Sequence, residues 1–310
     1  MLDKIICLMG PTASGKTALA IELTKRFPCD IISVDSGMIY RGMDVGTAKP
    51  TEEELLLAPH HLINICDPSE NYSAGQFRID AIKAIEEIHA QNRIPLLVGG
   101  TMLYFRVLQQ GISNLPQANR IIREKLTAEA AEYGWQALYE RLQQIDSATA
   151  SRISGNDTQR LQRALELYEI TGKSMSELCR EDKPQALPYE SLNLIIMPSD
   201  RETLHEKINQ RFQKMLQQGF LEEVEKLFKR KELHADLPAM RAVGYRQAWQ
   251  YLSGEISYKN MLDKIPIVTR QLAKRQLTWL RSWGNAELLD ADDFKLQENV
   301  NKLISEKWLY

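Results

Sequence analysis

Hydrophobic positions in this chain recur first in short runs and then at helical spacing. Residues 4–9 are an apolar run with β character, followed by a small-residue loop at 11–15. In 17–27 the apolar residues stand at 18, 19, 20, 23 and 27, the spacing of one helix face. Ile31, Ile32 and Val34 predict a second strand over 30–34, ending in Asp35-Ser36-Gly37. Apolar positions 79, 82, 85 and 88 predict a helix over 77–90, and 94–98 is a third buried strand closed by Gly99-Gly100-Thr101. Strands that alternate with helices predict a parallel sheet covered on both faces.

The rhythm changes after Pro116. No strand-like run occurs before Pro188; 120–144 and 157–170 have helical spacing, and 181–188 reads as a linker. A fourth strand at 192–197 resumes the sheet pattern. Helices are expected at 201–230, 240–252 and 259–282, then a short strand at 287–289 and a last amphipathic helix. The expected organisation is an α/β core of 1–115 with 189–310, interrupted by an all-helical domain at 116–188.

Composition narrows the class. The 310 residues are 44% hydrophobic and 26% charged, the mix of a soluble globular chain. The apolar run at 5–9 is far short of the ~20 residues that span a bilayer, and Met1-Leu2-Asp3-Lys4 lacks the features of a secretory signal. No membrane association is expected. Cys7, Cys29, Cys66 and Cys179 are scattered without C-x-x-C spacing, so they are expected to be buried, reduced thiols of a cytoplasmic protein. The net charge is −2, so any nucleic-acid surface must be a local patch.

One motif carries chemistry outright. Gly10-Pro11-Thr12-Ala13-Ser14-Gly15-Lys16-Thr17 fits G-x-x-x-x-G-K-[ST], between a predicted strand and a predicted helix. Glycines let the backbone wrap a polyanion, and the loop amides and helix N-terminus point at its phosphates. Lys16 adds a positive charge, and the Thr17 hydroxyl is the candidate ligand for Mg²⁺. This makes the core a P-loop-type α/β fold. The loop does not name the reaction. Strand 94–98 ends without the carboxylate of a nucleotide hydrolase, and no N-K-x-D occurs. The carboxylate at a strand end is Asp35. Parallel sheets bind ligands at the carboxyl ends of their strands, so Asp35 and Thr101 are expected beside the loop. Asp35 suits either a general base or a turn residue in Asp-Ser-Gly, and Thr101 either a ligand contact or a capping hydroxyl.

Basic residues cluster near the C-terminus. Residues 238–284 carry eight cations and two anions, whereas 285–310 carry three lysines and six acidic residues. Arg270, Lys274 and Arg281 fall on one side of a helix, a candidate phosphate-backbone rail or a solvated face. Arg160 and Arg163, three apart, are a second candidate. His60-His61 cannot both point one way from a strand, so a metal pair is not expected. The five tryptophans read as packing residues, and Tyr40 as a candidate pocket residue.

Several of these segments together resemble the tRNA dimethylallyltransferases, also called tRNA isopentenyltransferases. They are Gly10–Thr17, the Asp35-Ser36 to Lys49-Pro50 run with Gly42-Met43-Asp44-Val45-Gly46-Thr47, and His60-His61-Leu62-Ile63. Gly99-Gly100-Thr101, Gln159-Arg160, Arg241-Ala242-Val243-Gly244-Tyr245-Arg246-Gln247 and Lys274-Arg275-Gln276-Leu277-Thr278-Trp279-Leu280-Arg281 complete the likeness. It runs from residue 4 to about 284. It implies transfer of a dimethylallyl group from its diphosphate to N6 of the adenine 3′ of a tRNA anticodon, with Mg²⁺, and a helical insertion that grips the anticodon stem-loop. Asp35 would be the general base. Thr101 and Arg123 would contact the tRNA near the reacting centre, and Arg211 would help hold the diphosphate. The tRNA-contacting segments would be Asp35, Ser36, Gly37 and Met38; Gln159, Arg160, Leu161, Gln162 and Arg163; Arg241–Gln247; and Lys274–Arg281. Two positions depart from the family pattern: Met38, where many members have Gln, and Asn119, where Asp is common. Without Cys or His near Tyr310, the chain resembles the short bacterial form, and a monomer is expected. An ATP-dependent small-molecule kinase and a non-catalytic RNA-binding nucleotide sensor are the competing readings.

Overall fold

The computed structural model describes residues 4–182 and 184–308, the side chain of Trp308 excepted. The first three residues, Lys183 of the expected linker and the tryptophan packing expected at 308 lie outside that description. Six strands form one sheet: β1 (Lys4–Met9), β2 (Cys29–Val34), β3 (His60–His61), β4 (Ile94–Gly99), β5 (Glu190–Met197) and β6 (Ala286–Asp290). Their order is β3-β2-β4-β1-β5-β6, and every pairing is parallel. The continuous apolar run of β1 suits its central place, since an inner parallel strand is covered on both faces.

Helices α1 (Lys16–Arg26), α2 (Glu52–Leu57), α3 (Ala74–Ala90) and α4 (Met102–Gln110) accompany the first four strands. One face of the sheet packs on Leu19, Ala20 and Leu23 of α1, and the other on Phe77, Ala81, Ile85 and Ile88 of α3 with Phe105 and Leu108 of α4. Helix α3 starts at Ser73, whose hydroxyl accepts from the Gln76 amide.

Residues 110–186 form a compact unit of their own. It holds α5 (Arg120–Ile145), α6 (Ser147–Ala150), α7 (Thr158–Thr171) and α8 (Met175–Glu181), packed around Leu126, Leu138, Leu142, Leu161 and Leu165. Helix α5 kinks at Gly134, where φ is 82°.

After β5 come α9 (Arg201–Gln217), α10 (Phe220–Phe228), α11 (Tyr245–Leu252) and α12 (Tyr258–Arg281), and after β6 the closing α13 (Leu296–Trp308). Two helix expectations change here. The single helix at 201–230 is two, because Gly219 takes φ 88°. The helix expected from 240 begins only at Tyr245, because Gly244 takes φ 90°. Left-handed glycines break the helical hydrogen-bond ladder, and periodicity does not register them. Helices α9–α12 share a core with Ile39, Tyr40 and Met43. Tyr40 is 2% exposed, so it is a core residue and not a pocket residue. Cys7, Cys29 and Cys66 are buried, but Cys179 is only partly so. No helix among the described residues is long and apolar enough to cross a membrane.

Candidate active site

Strand register assembles the site. Met9 of β1 pairs with Gly99 of β4, which pairs with Val34 of β2. The next residues, Gly10, Gly100 and Asp35, therefore leave one edge of the sheet side by side. This is the carboxyl edge, where open parallel sheets bind ligands. The strands approach closely there: a Cβ on Gly99 would lie 2.0 Å from the Val34 carbonyl oxygen.

The loop from Gly10 curls through Ala13 (φ 63°) and Gly15 (φ 81°) into α1. A Cβ on Gly10 would meet the Ile196 carbonyl and Ser14 Oγ at 2.8 Å, so only glycine fits. Ser14 Oγ donates to the Pro11 carbonyl at 2.9 Å. Lys16 folds back over the loop, its Nζ donating to the Pro11 carbonyl at 2.5 Å and to Ser14 Oγ at 3.2 Å. Burial, with the Arg211 guanidinium nearby, lowers the Lys16 ammonium to about 7, and Asp35 partly opposes the shift. Arg211 is also lowered by burial and supported by Asp35. Three groups distant in sequence thus share one electrostatic environment.

Asp35 is both a turn residue and a half-buried acceptor on the cavity lining. Its Oδ1 accepts from the Gly37 amide at 2.8 Å and more weakly from Met38 at 3.3 Å. No described donor engages its Oδ2. The two sequence readings of Asp35 are therefore compatible: the turn orients the carboxylate. Thr101 Oγ1 accepts from the Ser36 amide at 3.1 Å, and its own amide donates to the Val34 carbonyl at 3.2 Å. Thr101 thus braces the Asp35 turn from β4.

A cavity of about 390 Å³ opens over these groups. Thr12, Lys16, Thr17, Asp35 and Arg211 line its polar end, and Phe212, Met215, Phe220, Ile265 and Leu272 its apolar wall. Ser36, Gly37 and Met38 also line it, as do Arg241, Ala242, Val243, Gly244, Tyr245, Arg275 and Gln276. Thr101 lies behind Ser36 rather than on the lining.

The expected RNA-contact segments divide by exposure. Gln276 faces inward: its Oε1 accepts from the Thr12 amide and its Nε2 donates to the Gly100 carbonyl, both at 2.9 Å. It ties the phosphate loop to the β4 end. Gln247 caps the Gly244 amide, and Leu280 is 1% exposed in the core. Arg270 is turned against α9, donating to Asn209 Oδ1 at 2.9 Å, so the outward stripe on α12 reduces to Lys274, Arg275, Thr278 and Arg281. Leu277 and Trp279 are half-buried, while Arg241 and Arg246 are exposed.

In the helical unit, Glu166 is fully buried and accepts from Arg123 (2.9 Å), Arg163 (2.7 Å) and the Asn119 amide (2.7 Å). These partners hold its carboxyl below the usual range against the cost of burial. Leu161 is buried, and Gln162 donates to the Arg123 carbonyl at 3.1 Å. Gln159 and Arg160 remain on the surface, and Arg160 is paired with Asp157 at 3.3 Å. Arg163 therefore faces inward, not along Arg160.

Among the described residues, no group of three or more His, Cys, Asp or Glu stands together as a metal cage. The polar end does fit Mg²⁺, which takes few protein oxygens and completes its shell with phosphate and water. Thr17, which lines the cavity, would supply the hydroxyl ligand.

Two features had no sequence signal. Glu223 on α10 accepts from the amides of Asp44 (2.8 Å), Val45 (2.7 Å) and Gly46 (3.1 Å). The Thr47 carbonyl accepts from Arg211 at 3.1 Å. Glu223 reads as an ordinary polar position of an amphipathic helix.

Comparisons with known proteins identify the family. The family model described as IPP transferase matches residues 38–283. The chain is 56% identical over 296 residues to a tRNA dimethylallyltransferase of Coxiella burnetii, covering 96% of this chain and 95% of that protein. The full-length tRNA isopentenylpyrophosphate transferase of Bacillus halodurans superposes with a TM-score of 0.73 at 36% identity, over 98% of this chain and 96% of that one. A eukaryotic dimethylallyltransferase solved acting on tRNA gives a TM-score of 0.82 at 28% identity, over 99% of this chain and 79% of the other. The family model spans most of the chain and a relative 56% identical covers 96% of it, so the chain belongs to the IPP transferase family.

Proposed function

We propose that this enzyme transfers a dimethylallyl group from dimethylallyl diphosphate to N6 of the adenine next to a tRNA anticodon, releasing diphosphate. The observation that carries this is the two-ended cavity. Lys16 and Arg211, with the Thr12 and Thr17 hydroxyls, supply a polyanion end, and Phe212, Met215, Phe220 and Leu272 supply apolar lining of the same cavity. A short isoprenoid diphosphate has that polarity.

In this reading the N6 lone pair forms a bond to C1 of the dimethylallyl group as the C1–O bond breaks. The electron pair leaves with diphosphate, whose charge Lys16, Arg211 and the loop amides stabilise. Asp35 Oδ2 takes the N6 proton. Mg²⁺ on Thr17 would neutralise further phosphate charge. The acceptor base must be turned out of its stack to reach Asp35. Arg241, Arg246, Lys274, Arg275 and Arg281 stand exposed, Arg241 and Arg275 on the cavity lining itself, and serve as phosphate-backbone contacts, and the surface of α7 at Gln159 and Arg160 as an anticodon-stem contact.

The test is incubation with unmodified tRNA, dimethylallyl diphosphate and Mg²⁺, then mass analysis of nucleosides. An adenosine heavier by one C5H8 unit supports the reading, and unmodified nucleosides alongside ATP turnover would favour a kinase. For the rail, Lys274→Ala is expected to weaken tRNA binding and make its log–log salt slope shallower by about 0.7–0.9. An unchanged slope would return α12 to a solvated face.

A further inference from the structure

We propose that Glu223 is a positioning residue for the diphosphate: it locks loop 44–47 so that the Thr47 carbonyl aims Arg211 at the polar end of the cavity. Three consecutive amides, those of Asp44, Val45 and Gly46, converge on its carboxylate. Such a run of amides is an anion nest, and here the protein's own side chain fills it. A fourth bond comes from the Tyr245 hydroxyl at 2.5 Å. Charge-assisted bonds of this kind are stronger than neutral ones.

The loop is also sealed sterically. A Cβ on Gly46 would come within 2.5 Å of the Phe220 and Tyr245 rings. Thr47 Oγ1 closes the turn by donating to the Met43 carbonyl at 2.7 Å. The next acceptor along the chain is the Thr47 carbonyl, which holds Arg211 Nη2 at 3.1 Å. Arg211 is long, and no described carboxylate pairs with it at salt-bridge distance. Its aim depends on that carbonyl, and the carbonyl depends on Glu223. Glu223 touches no substrate in this scheme. It acts through Arg211.

The inference rests on the prenyl-transfer reading only for the identity of the leaving group, so its test uses inorganic diphosphate with Mg²⁺, measured by calorimetry on the full chain. Glu223→Gln removes the charge and keeps the size. It is expected to weaken diphosphate binding about tenfold, the scale of a lost charge-assisted contact, with tRNA affinity unchanged. In an Arg211→Ala background the same substitution is expected to add less than about twofold, because coupled residues are not additive. Glu223→Asp keeps the charge and is expected to recover part of the affinity. If Glu223→Gln does not fold, Glu223→Asp takes its place in the cycle. A lowered melting temperature with diphosphate affinity unchanged overturns the proposal, and so does full additivity with Arg211→Ala. Failure of the parent to modify tRNA strikes the prenyl reading alone.

Discussion

Asp35→Asn is expected to retain most tRNA and donor affinity while kcat falls by about 10² to 10⁴, the usual value of general-base assistance. The geometry makes this substitution clean. The Asp35 oxygen that accepts from the Gly37 and Met38 amides has its counterpart in the Asn carbonyl oxygen, so the turn persists. Thr101 continues to brace Ser36. What is lost is the oxygen able to take up a proton. If Asp35 served only the turn, Asn would serve as well and the rate would hardly change. Single-turnover transfer with both substrates saturating separates the cases. A rate within about threefold of the parent would remove Asp35 from the chemistry.

Lys16→Ala is expected to lower turnover by about 10²-fold or more, since its charge faces the departing diphosphate. Binding of tRNA should change little. Normal turnover in the variant would refute the phosphate-loop assignment. The pH behaviour follows from the depressed ammonium at about 7. An unfolded lysine titrates at its ordinary 10.5, so between these values the unfolded chain binds more protons than the folded one. This group's contribution to the stability of the ligand-free protein therefore rises with pH across that window. Below pH 7 the lysine is charged in both states and the penalty of burying it is complete. A bound polyanion favours the charged form, so diphosphate binding at pH 8 should take up a proton. Calorimetry in buffers of different ionisation enthalpy measures that uptake, and Lys16→Ala should reduce it.

The phosphate loop, the β1–loop–α1 unit and the parallel sheet were legible from the chain alone. Each is local: an apolar run of five or six residues, a fixed glycine spacing and a 3.6-residue period leave few alternatives. Asp35 was legible as a strand-end carboxylate, and Thr101 as its neighbour, through the rule that parallel sheets bind at their carboxyl edge. Helix ends were less so. Gly219 and Gly244 interrupt two expected helices through positive φ angles that hydrophobic spacing does not encode. The RNA-contact segments were legible as segments but not residue by residue. Leu161 and Leu280 lie in cores, Gln276 bridges Thr12 to Gly100, and Arg163 turns onto Glu166. Which side of a helix faces a neighbour depends on where that neighbour packs, and charge counting carries no such information. Tertiary structure alone decided that Glu223, 179 residues from Asp44, fills a nest of three amides. It likewise decided that Thr47 meets Arg211. A backbone carbonyl and an amide nest have no side-chain signature, so only the folded chain reveals what they hold.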